Sequence, residues 1–388
     1  MGAVRDWMAP VAAMAVVSIS VSYLWPMFAL LLERGGYSGF AIGMNATAAA
    51  VMMVLAAPVM PQLAARMGVA RLMIVAAATT ALALLMVPLF PNIWWWSLLR
   101  LIMGFTVTAM FFGAEYWLVG IAPDASRGRI VAIYSIILSG SYAIGPKMLG
   151  WVGLESFMTY GLPASILVAA ILPVWWGQAS APRGQAGEAA SPARTMSFFR
   201  TDPLILWGVV LFGMIEFGAM GLLSVWGVRI GLAEGAALLL LSVLAIGSAF
   251  FQLPVGIAAD RYDRRRLLAL AGFCSVLAPL GMIAFSESYG ALVVLSLAWG
   301  GMAVALYTIA LTELGARYRG ADLAAGNAAV VMAYGLGALL APASFGAAMD
   351  VIPPDGVLWL ASASALGYLV LALVRIARAG RNPLDMGG

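Results

Sequence analysis

Long apolar stretches alternate with short polar ones along almost the whole chain. An apolar run of about 20 residues can cross the hydrocarbon core of a bilayer as an α-helix. Because the alternating pattern of barrel strands is absent, the sequence predicts an all-α membrane protein. We expect twelve transmembrane helices, of which the first is too long for the core of a cleaved signal peptide. The predicted spans are residues 7–32, 39–60, 72–90, 94–121, 130–152, 158–177, 204–228, 236–258, 267–285, 291–314, 324–347 and 357–376.

Two charged loops indicate an internal duplication. Arg66 in the loop PQLAARMGVAR and Arg261 in the loop GIAADRYDRRR are 195 positions apart, and each loop lies between two apolar runs. Arg34 and Arg229 repeat the same offset. A shared offset in a shared hydropathy context predicts two copies of one helical bundle.

The longest polar interruption divides the two copies. It covers residues 178–202 and is rich in Ala, Gly, Pro and Ser, a composition typical of a flexible linker. We therefore predict an N-terminal six-helix bundle at 1–177, a cytoplasmic linker at 178–202 and a C-terminal six-helix bundle at 203–388.

The composition supports a membrane protein and excludes several other classes. Of the 388 residues, 63% are hydrophobic and 10% are charged, whereas soluble domains carry about 25% charged residues. The chain has no histidine and only one cysteine, Cys274, so it lacks the commonest metal ligand and cannot form an internal disulfide. Motifs such as HExxH and Ser-His-Asp are therefore impossible. We predict a protein that is not an enzyme and that holds no metal or cofactor.

The arginines predict the orientation in the membrane. All of them except Arg34, Arg100 and Arg229 fall in loops or at helix ends on one side of the predicted bundle. The positive-inside rule assigns that side and both termini to the cytoplasm, so we expect a multi-pass protein of the inner membrane. Because the arginines are scattered among short loops, they do not indicate a nucleic-acid partner. We expect a monomer surrounded by membrane lipid.

Several motifs resemble those of the major facilitator superfamily, and the resemblance covers essentially the whole chain. The loop from Gly256 to Arg266 resembles the superfamily's signature between the second and third helices of a half. The segment from Arg100 to Gly104 resembles a motif of the fourth helix, and the segment from Gly140 to Gly150 is similar to a fifth-helix motif of proton-driven antiporters. The first-half loop departs from the pattern, since Pro61 and Ala65 stand where the signature has glycine and aspartate.

The resemblance implies a transporter with two pseudo-symmetric six-helix bundles that moves a small molecule by alternating access. It also implies an inner gate, in which acids near the ends of helices four and ten pair with loop arginines. In this interpretation the pairs form in the outward-open state and break when the cytoplasmic side opens. A second hypothesis is that Glu115 carries a proton directly. The predicted gate residues are Arg66, Glu115, Arg127, Asp260, Arg261, Glu313 and Arg319.

Charged residues inside predicted spans are the strongest candidates for a binding site. Each costs about 2.5–3.5 kcal/mol at the bilayer centre, which is tolerated where the side chain faces a partner or a water-filled cavity. Arg100 and Lys147 both fall in the outer half of the first bundle, where they favour binding of an anionic group. The alternatives are that Arg100 bonds to backbone carbonyls at a helix break and that Lys147 extends its amine to the lipid headgroups. Pro146 predicts a local bend, because it frees the carbonyl of Tyr142.

Glu216 is the best candidate for proton coupling. It falls near the middle of the predicted seventh helix, and Gly213, Gly218 and Gly221 flank it. These glycines allow close helix approach or local unwinding. Removal of a carboxylate from water favours its neutral form, which a proton-coupling group requires. The alternative is a neutral glutamic acid that only forms a hydrogen bond to another helix.

Polar and aromatic residues elsewhere in the spans are weaker candidates for substrate binding. Such side chains often serve only as contacts between helices, and this alternative stays open for each of them. The weaker candidates are Tyr23, Trp25, Asn45, Tyr142, Gln252, Tyr307 and Tyr334.

These features predict a secondary active transporter, coupled to protons as a symporter or an antiporter. The two cations of the first bundle favour a small organic anion or zwitterion as the substrate. The Gly-Pro segment of the fifth helix instead favours a proton-driven multidrug efflux antiporter. A lipid flippase on the same fold is a further alternative.

Overall fold

The computed structural model describes residues 2–121, 127–182 and 192–381, and within these ranges the chain is helical with no strand. Three short 3-10 helices lie at Ala57–Val59, Val87–Leu89 and Gln178–Ser180. The α-helices are α1 (Gly2–Arg34), α2 (Gly39–Ala56), α3 (Met60–Met67), α4 (Val69–Leu85), α5 (Ile93–Ile121), α6 (Arg127–Tyr142), α7 (Ile144–Val152), α8 (Met158–Gly177), α9 (Pro192–Thr201), α10 (Pro203–Arg229), α11 (Glu234–Arg261), α12 (Arg264–Ala284), α13 (Tyr289–Arg317), α14 (Gly320–Val351) and α15 (Gly356–Arg381).

Eleven helical segments of the described chain are long and apolar enough to cross a membrane. The predicted span at 130–152 differs, because it consists of the 16-residue helix α6 and the 9-residue helix α7. Pro146 has no N–H to donate to the carbonyl of Tyr142, where α6 ends. At the same point the N–H of Ala143 bonds to the carbonyl three residues back, that of Gly140, at 3.2 Å, which marks the end of the regular α-helical pattern. Together α6 and α7 take the place of the fifth of twelve helices.

The two halves repeat one packing pattern. In the first half α2 packs on α5, α4 packs on α5 and α8, and α1 packs on α8. In the second half the corresponding pairs are α11 with α13, α12 with α13 and α15, and α10 with α15. The prediction of two pseudo-symmetric six-helix bundles is therefore confirmed. The predicted linker differs in part, because residues 192–201 form the helix α9.

The two halves approach most closely at the end of the bundle where α1 and α10 finish, which we call the Arg34 end. Helix α2 packs against α14 there through residues that lack bulky side chains. A Cβ on Gly43 would overlap the carbonyl of Pro342, and a Cβ on Gly346 would overlap the carbonyl of Gly39. Only small residues allow two helix backbones to come this close.

Ion pairs join the halves at the same end. Arg229 donates two hydrogen bonds of 2.9 Å to Glu33. Arg34 donates two hydrogen bonds to Glu234, from Nε at 2.7 Å and from Nη2 at 3.0 Å. Asp350 accepts from the backbone N–H groups at the start of α2, at 2.6 and 2.8 Å, where a helix N-terminus favours a negative charge. We call these five residues the Arg34-end network.

The Arg34-end network links the two halves by hydrogen bonds and ion pairs. Its two arginines occupy equivalent places in the duplication, since Arg34 ends α1 and Arg229 ends α10. Arg34 also lies 3.5 Å from Glu155, the counterpart of Asp350 at the shared offset. The described structure is therefore closed at the Arg34 end.

A second ionic cluster lies at the opposite end, which we call the Arg261 end, and it joins Asp202, the last residue of the linker, to the second half. Asp202, only 5% exposed, accepts from Arg317 at 2.9 Å and from the Tyr318 hydroxyl at 2.6 Å. Glu313 pairs with Arg264 at 2.9 Å and with Arg317. Burial, together with the Asp202 carboxylate, raises the pKa of Tyr318 to about 12, so its hydroxyl remains a donor well above neutral pH.

The ion pairs of the Arg34-end network predict a double-mutant result. Arg229→Glu places two acids together and should destabilise the closed arrangement by about 1.5–3 kcal/mol, a tenfold or larger change in the closed-to-open ratio. Spin labels at Phe90→Cys and Ile352→Cys, on a Cys274→Ala background, should then report longer distances. Adding Glu33→Arg should restore the short distances. An unchanged distribution in the single variant would show that the network does not hold this end shut.

The buried carboxylate of Asp202 predicts a stability effect. Asp202→Asn keeps the shape but leaves Arg317 without its counter-charge, which should cost about 1–3 kcal/mol and lower the thermal unfolding midpoint by a few degrees. The control is Asp322→Asn, which breaks an exposed pair with Arg194 and should cost less than about 1 kcal/mol. Equal midpoints for the two variants would contradict the assignment.

Candidate functional site

Arg100 is an isolated buried cation. It lies seven residues into α5 and is 4% exposed. Its Nε has no hydrogen-bond partner, and its guanidinium lies over the ring of Phe28, 5.1 Å from the centroid. Within the described part of the chain no carboxylate pairs with it. The high cost of an uncompensated buried charge makes Arg100 a candidate for binding an anion.

A pocket opens beside Arg100, between α1, α2, α5, α10 and α14. Every lining residue other than Arg100 is apolar or glycine, and these include Trp25, Met53, Met103, Val107, Phe217 and Gly221. We call this space the Arg100 pocket.

Two glycines of the Arg100 pocket differ in what surrounds them. A Cβ on Gly104 would overlap the carbonyl of Ala49, so α5 needs glycine there to pack on α2. Gly221 is buried, yet a Cβ on it would meet no atom within 4 Å. The space beside Gly221 is therefore open and forms part of the Arg100 pocket.

Glu216 lies at the centre of the second half. It is 13 residues from each end of α10, which at 1.5 Å per residue is about 20 Å. Its Oε2 accepts a hydrogen bond of 2.7 Å from the hydroxyl of Tyr334 on α14. No arginine or lysine pairs with it among the residues that the structure describes. Glu216 is thus a second isolated charge, close to the middle of the membrane-spanning region.

Aromatic rings from both halves surround Glu216, and we call them the aromatic cluster. Successive ring centroids are 5.0 to 6.4 Å apart, within the range of favourable aromatic contacts. Trp25 and Phe217 also line the Arg100 pocket. Arg100 and Glu216 therefore border one continuous region between the halves. The aromatic cluster consists of Trp25, Tyr142, Phe212, Phe217, Tyr307 and Tyr334.

Glu115 faces the space between the halves. Its side chain is exposed, although it lies within Coulombic range of Tyr134 and Tyr142 from α6 and of Tyr307 from α13. Tyr142 and Tyr307 also lie close enough to Glu216 to interact with its charge. The region around Glu216 therefore continues toward Glu115 and the Arg261 end.

The predicted inner gate is not formed in this arrangement. Within the described ranges Glu115 has no arginine partner, and the exposed Arg66, Asp260 and Arg261 make no ion pair. The structure gives Glu313 partners in its own half, where Arg264 also donates from Nε to the carbonyl of Ala259. Arg319 donates to the carbonyls of Gly315 and Tyr318. The side chain of Arg127 lies outside the described residues.

Lys147 does not join Arg100. Its side chain is exposed, and its Nζ lies 5.4 Å from the ring centroid of Trp151, which is itself 75% exposed. Helix α7 instead turns Gly150 toward Gly235 of α11. A lysine amine beside an exposed indole suits the membrane interface, which corresponds to the headgroup alternative for this residue.

Three of the weaker candidates lie away from the Arg100 pocket and the aromatic cluster. Tyr23 is fully buried, and its hydroxyl has no partner. Asn45 is also buried, and its Nδ2 donates to Ser97 at 3.0 Å, so it joins α2 to α5. Gln252 on α11 is half-buried, and its Oε1 has no partner. The other four weaker candidates belong to the aromatic cluster.

Sequence reasoning missed two groups of residues. Phe212 and Phe217 lie one turn before and one residue after Glu216, so proximity to that carboxylate was the available signal. The acids of the Arg34-end network are Glu33, Glu234 and Asp350. The available signal for these acids was the repeated offset of Arg34 and Arg229. The offset places two arginines at equivalent helix ends, on the side of the bundle that has few cations, where each needs an acidic partner.

Comparison with known proteins agrees with the fold. A family model described as Major Facilitator Superfamily matches residues 11–245 and 230–385. The chain is 26% identical over 373 residues to the uncharacterized MFS-type transporter YfkF of Bacillus subtilis (strain 168), covering 94% of this chain and 93% of that protein. It is 24% identical over 319 residues to the uncharacterized MFS-type transporter YcaD of Escherichia fergusonii, covering 82% of each.

Solved structures give the same result. The nucleoside transporter NupG matches with a TM-score of 0.76 at 14% identity, covering 97% of this chain and 98% of that one. A bacterial homolog of the human lysosomal transporter Spinster, in an inward-facing and occupied conformation, gives a TM-score of 0.75 at 13% identity and covers 97% and 96%. At these identities the likeness shows the fold alone. The family match extends over nearly the whole chain, which therefore belongs to the major facilitator superfamily and is a multi-pass membrane transporter, not an enzyme.

Proposed function

We propose that this transporter is a proton-coupled secondary carrier of a small organic anion or zwitterion, with Glu216 as the proton-coupling carboxylate. The observation that carries this proposal is the placement of Glu216 at mid-height of α10, among rings of both halves and without a cation in the described chain. A carboxylate in such a place is expensive when ionised and acceptable when protonated. Its charge state therefore changes the energy of closing the halves around it.

Alternating access gives Glu216 its role. We take 1–177 and 203–388 as the moving halves and 178–202 as their connection on the cytoplasmic side. With both termini in the cytoplasm, as the arginine distribution predicts, the Arg34 end faces outward. The closed Arg34-end network and the exposed Glu115 then correspond to an inward-facing state. When the Arg261 end closes, Glu115 and Glu313 move toward the loop arginines and form the inner gate.

The hydrogen bond from Tyr334 links the proton to the motion. Tyr334 lies on α14, which packs against α2 of the other half at the Arg34 end. Gain or loss of a proton at Glu216 alters this bond and the cost of enclosing the carboxylate. One charge that crosses 100 mV supplies about 2.3 kcal/mol, enough for a roughly fiftyfold concentration ratio.

The anionic or zwitterionic substrate rests on Arg100. An uncompensated guanidinium in an apolar pocket attracts a carboxylate or a similar oxyanion, which it can bind through two parallel hydrogen bonds. The resemblance to a nucleoside transporter is one of fold, so it does not identify the substrate.

A proton-driven drug efflux antiporter is the second candidate, and the aromatic cluster favours it. Aromatic faces beside a carboxylate attract an organic cation by cation–π contact as well as by charge. In that case the drug and the proton compete for Glu216, and Arg100 takes no part in recognition. The two candidates therefore differ in the charge of the bound molecule.

The coupling role of Glu216 predicts a pH-dependent motion that needs no substrate. Spin labels at Gln62→Cys and Tyr262→Cys, on a Cys274→Ala background, report the opening of the Arg261 end. In the otherwise native protein the distance distribution should change as the pH is raised from 5 to 9 (roughly the range over which buried carboxylates titrate). Glu216→Gln, a permanent mimic of the protonated form, should remove most of that change.

Glu287→Gln is the matched control, since Glu287 lies in the loop between α12 and α13. Its distance distribution should respond to pH as the parent protein does. A full pH response in Glu216→Gln would exclude Glu216 as the coupling group.

A further inference from the structure

We propose that the Arg100 pocket binds its substrate as a lipophilic monoanion: one oxyanion group contacts Arg100, and an apolar body fills the space beside Trp25, Phe217 and Gly221. This inference rests on the proposed function, and it narrows the substrate class from any small anion or zwitterion. The substrate carries one negative charge, no ammonium group and a hydrocarbon or aromatic body.

The charge follows from Arg100. The residue is 4% exposed, its Nε has no partner, and the described chain offers it no carboxylate. Its one close attractive contact is the face of Phe28, which is weaker than a hydrogen-bonded ion pair. A bound carboxylate or sulfonate would supply both the missing counter-charge and the missing hydrogen bonds.

The apolar body follows from the other walls of the pocket. Apart from Arg100, the indole N–H of Trp25 is the one polar side-chain group among the lining residues. A hydroxyl-rich or second charged group would lose its hydration there without gaining a partner, which costs several kcal/mol. The faces of Trp25 and Phe217 and the open space beside Gly221 offer a hydrocarbon or aromatic body apolar contacts. The pocket volume is about 50 Å³ in this arrangement, so the lining side chains have to move outward to admit a phenyl-sized body.

The distance to Glu216 argues against a compact zwitterion. Arg100 lies 7 residues from the start of α5 and Glu216 lies 13 residues from the end of α10, and both of these helix ends are at the Arg34 end. The difference of six residues corresponds to about 9 Å along the helix axes. Glu216 is also absent from the lining of the Arg100 pocket, so an α-amino acid bound there would have no counter-charge for its ammonium group.

Three probes of matched shape test the substrate class. They are 3-phenylpropionate, which is an anion, phenylalanine, which is a zwitterion, and 2-phenylethylammonium, which is a cation. Calorimetric titration of the purified full-length protein at pH 7 should give at least tenfold tighter binding for 3-phenylpropionate than for the other two.

Variants of the pocket separate the charge from the space. Arg100→Gln should weaken 3-phenylpropionate binding at least tenfold, and Arg100→Lys should restore part of it. Gly221→Ala and then Gly221→Val should weaken it progressively. The alanine variant should keep its thermal stability, because its Cβ enters open space. Arg71→Gln, which removes an exposed arginine in the first turn of α4, should bind as the parent protein does.

Three results would overturn the inference. They are binding of phenylalanine or 2-phenylethylammonium as tight as that of the anion, anion binding that survives Arg100→Gln, and no binding of any probe. These three results concern binding alone and do not depend on proton coupling. The coupling role is tested separately, by the spin-label measurement on Glu216, which uses no substrate. If the anion binds as expected while Glu216→Gln keeps its pH response, the coupling proposal fails and the substrate class stands.

Discussion

The cost of a charge without a partner in an apolar surrounding is the constraint on which this structure depends. Buried charged side chains near the helix ends meet that cost with a counter-charge, as Asp202 does with Arg317 and Glu33 does with Arg229. Arg100 and Glu216 have no such partner in the described chain. Paired charges fix helices to one another, whereas these two face the region between the halves. The distinction separates residues that hold the fold from residues that are available to a ligand or a proton.

The duplication explains why the central region can be closed at one end and open at the other. Each half ends its first helix in an arginine, and each arginine pairs with an acid of the opposite half. Glycine contacts between α2 and α14 bring the backbones together at the same end. Toward the Arg261 end the ionic cluster of Asp202 and Glu313 joins only the linker and the second half, so it leaves the two halves free to separate there.

Hydropathy predicted the helices well because the bilayer thickness fixes how long an apolar run must be. The break at Tyr142 was also predictable, since Pro146 lacks the N–H that would continue the helix. The rotation of each helix about its axis was not predictable, because nearly every face of these helices is apolar. Asn45 therefore could not be distinguished from Tyr334 by sequence, although one joins two helices and the other bonds Glu216. The partners of Glu313 depend on how the ends of α12 and α13 meet, which no spacing in the sequence specifies.

The proposed coupling role requires Glu216 to exchange protons with water inside the protein. Infrared difference spectra of the parent protein and Glu216→Gln isolate the stretching band of this one carboxyl group. We expect a protonated carboxyl band at low pH that shifts promptly in D₂O and gives way to the carboxylate bands as the pH rises. A difference spectrum with no carboxyl band at any pH, or with a band that D₂O does not shift, would contradict the account.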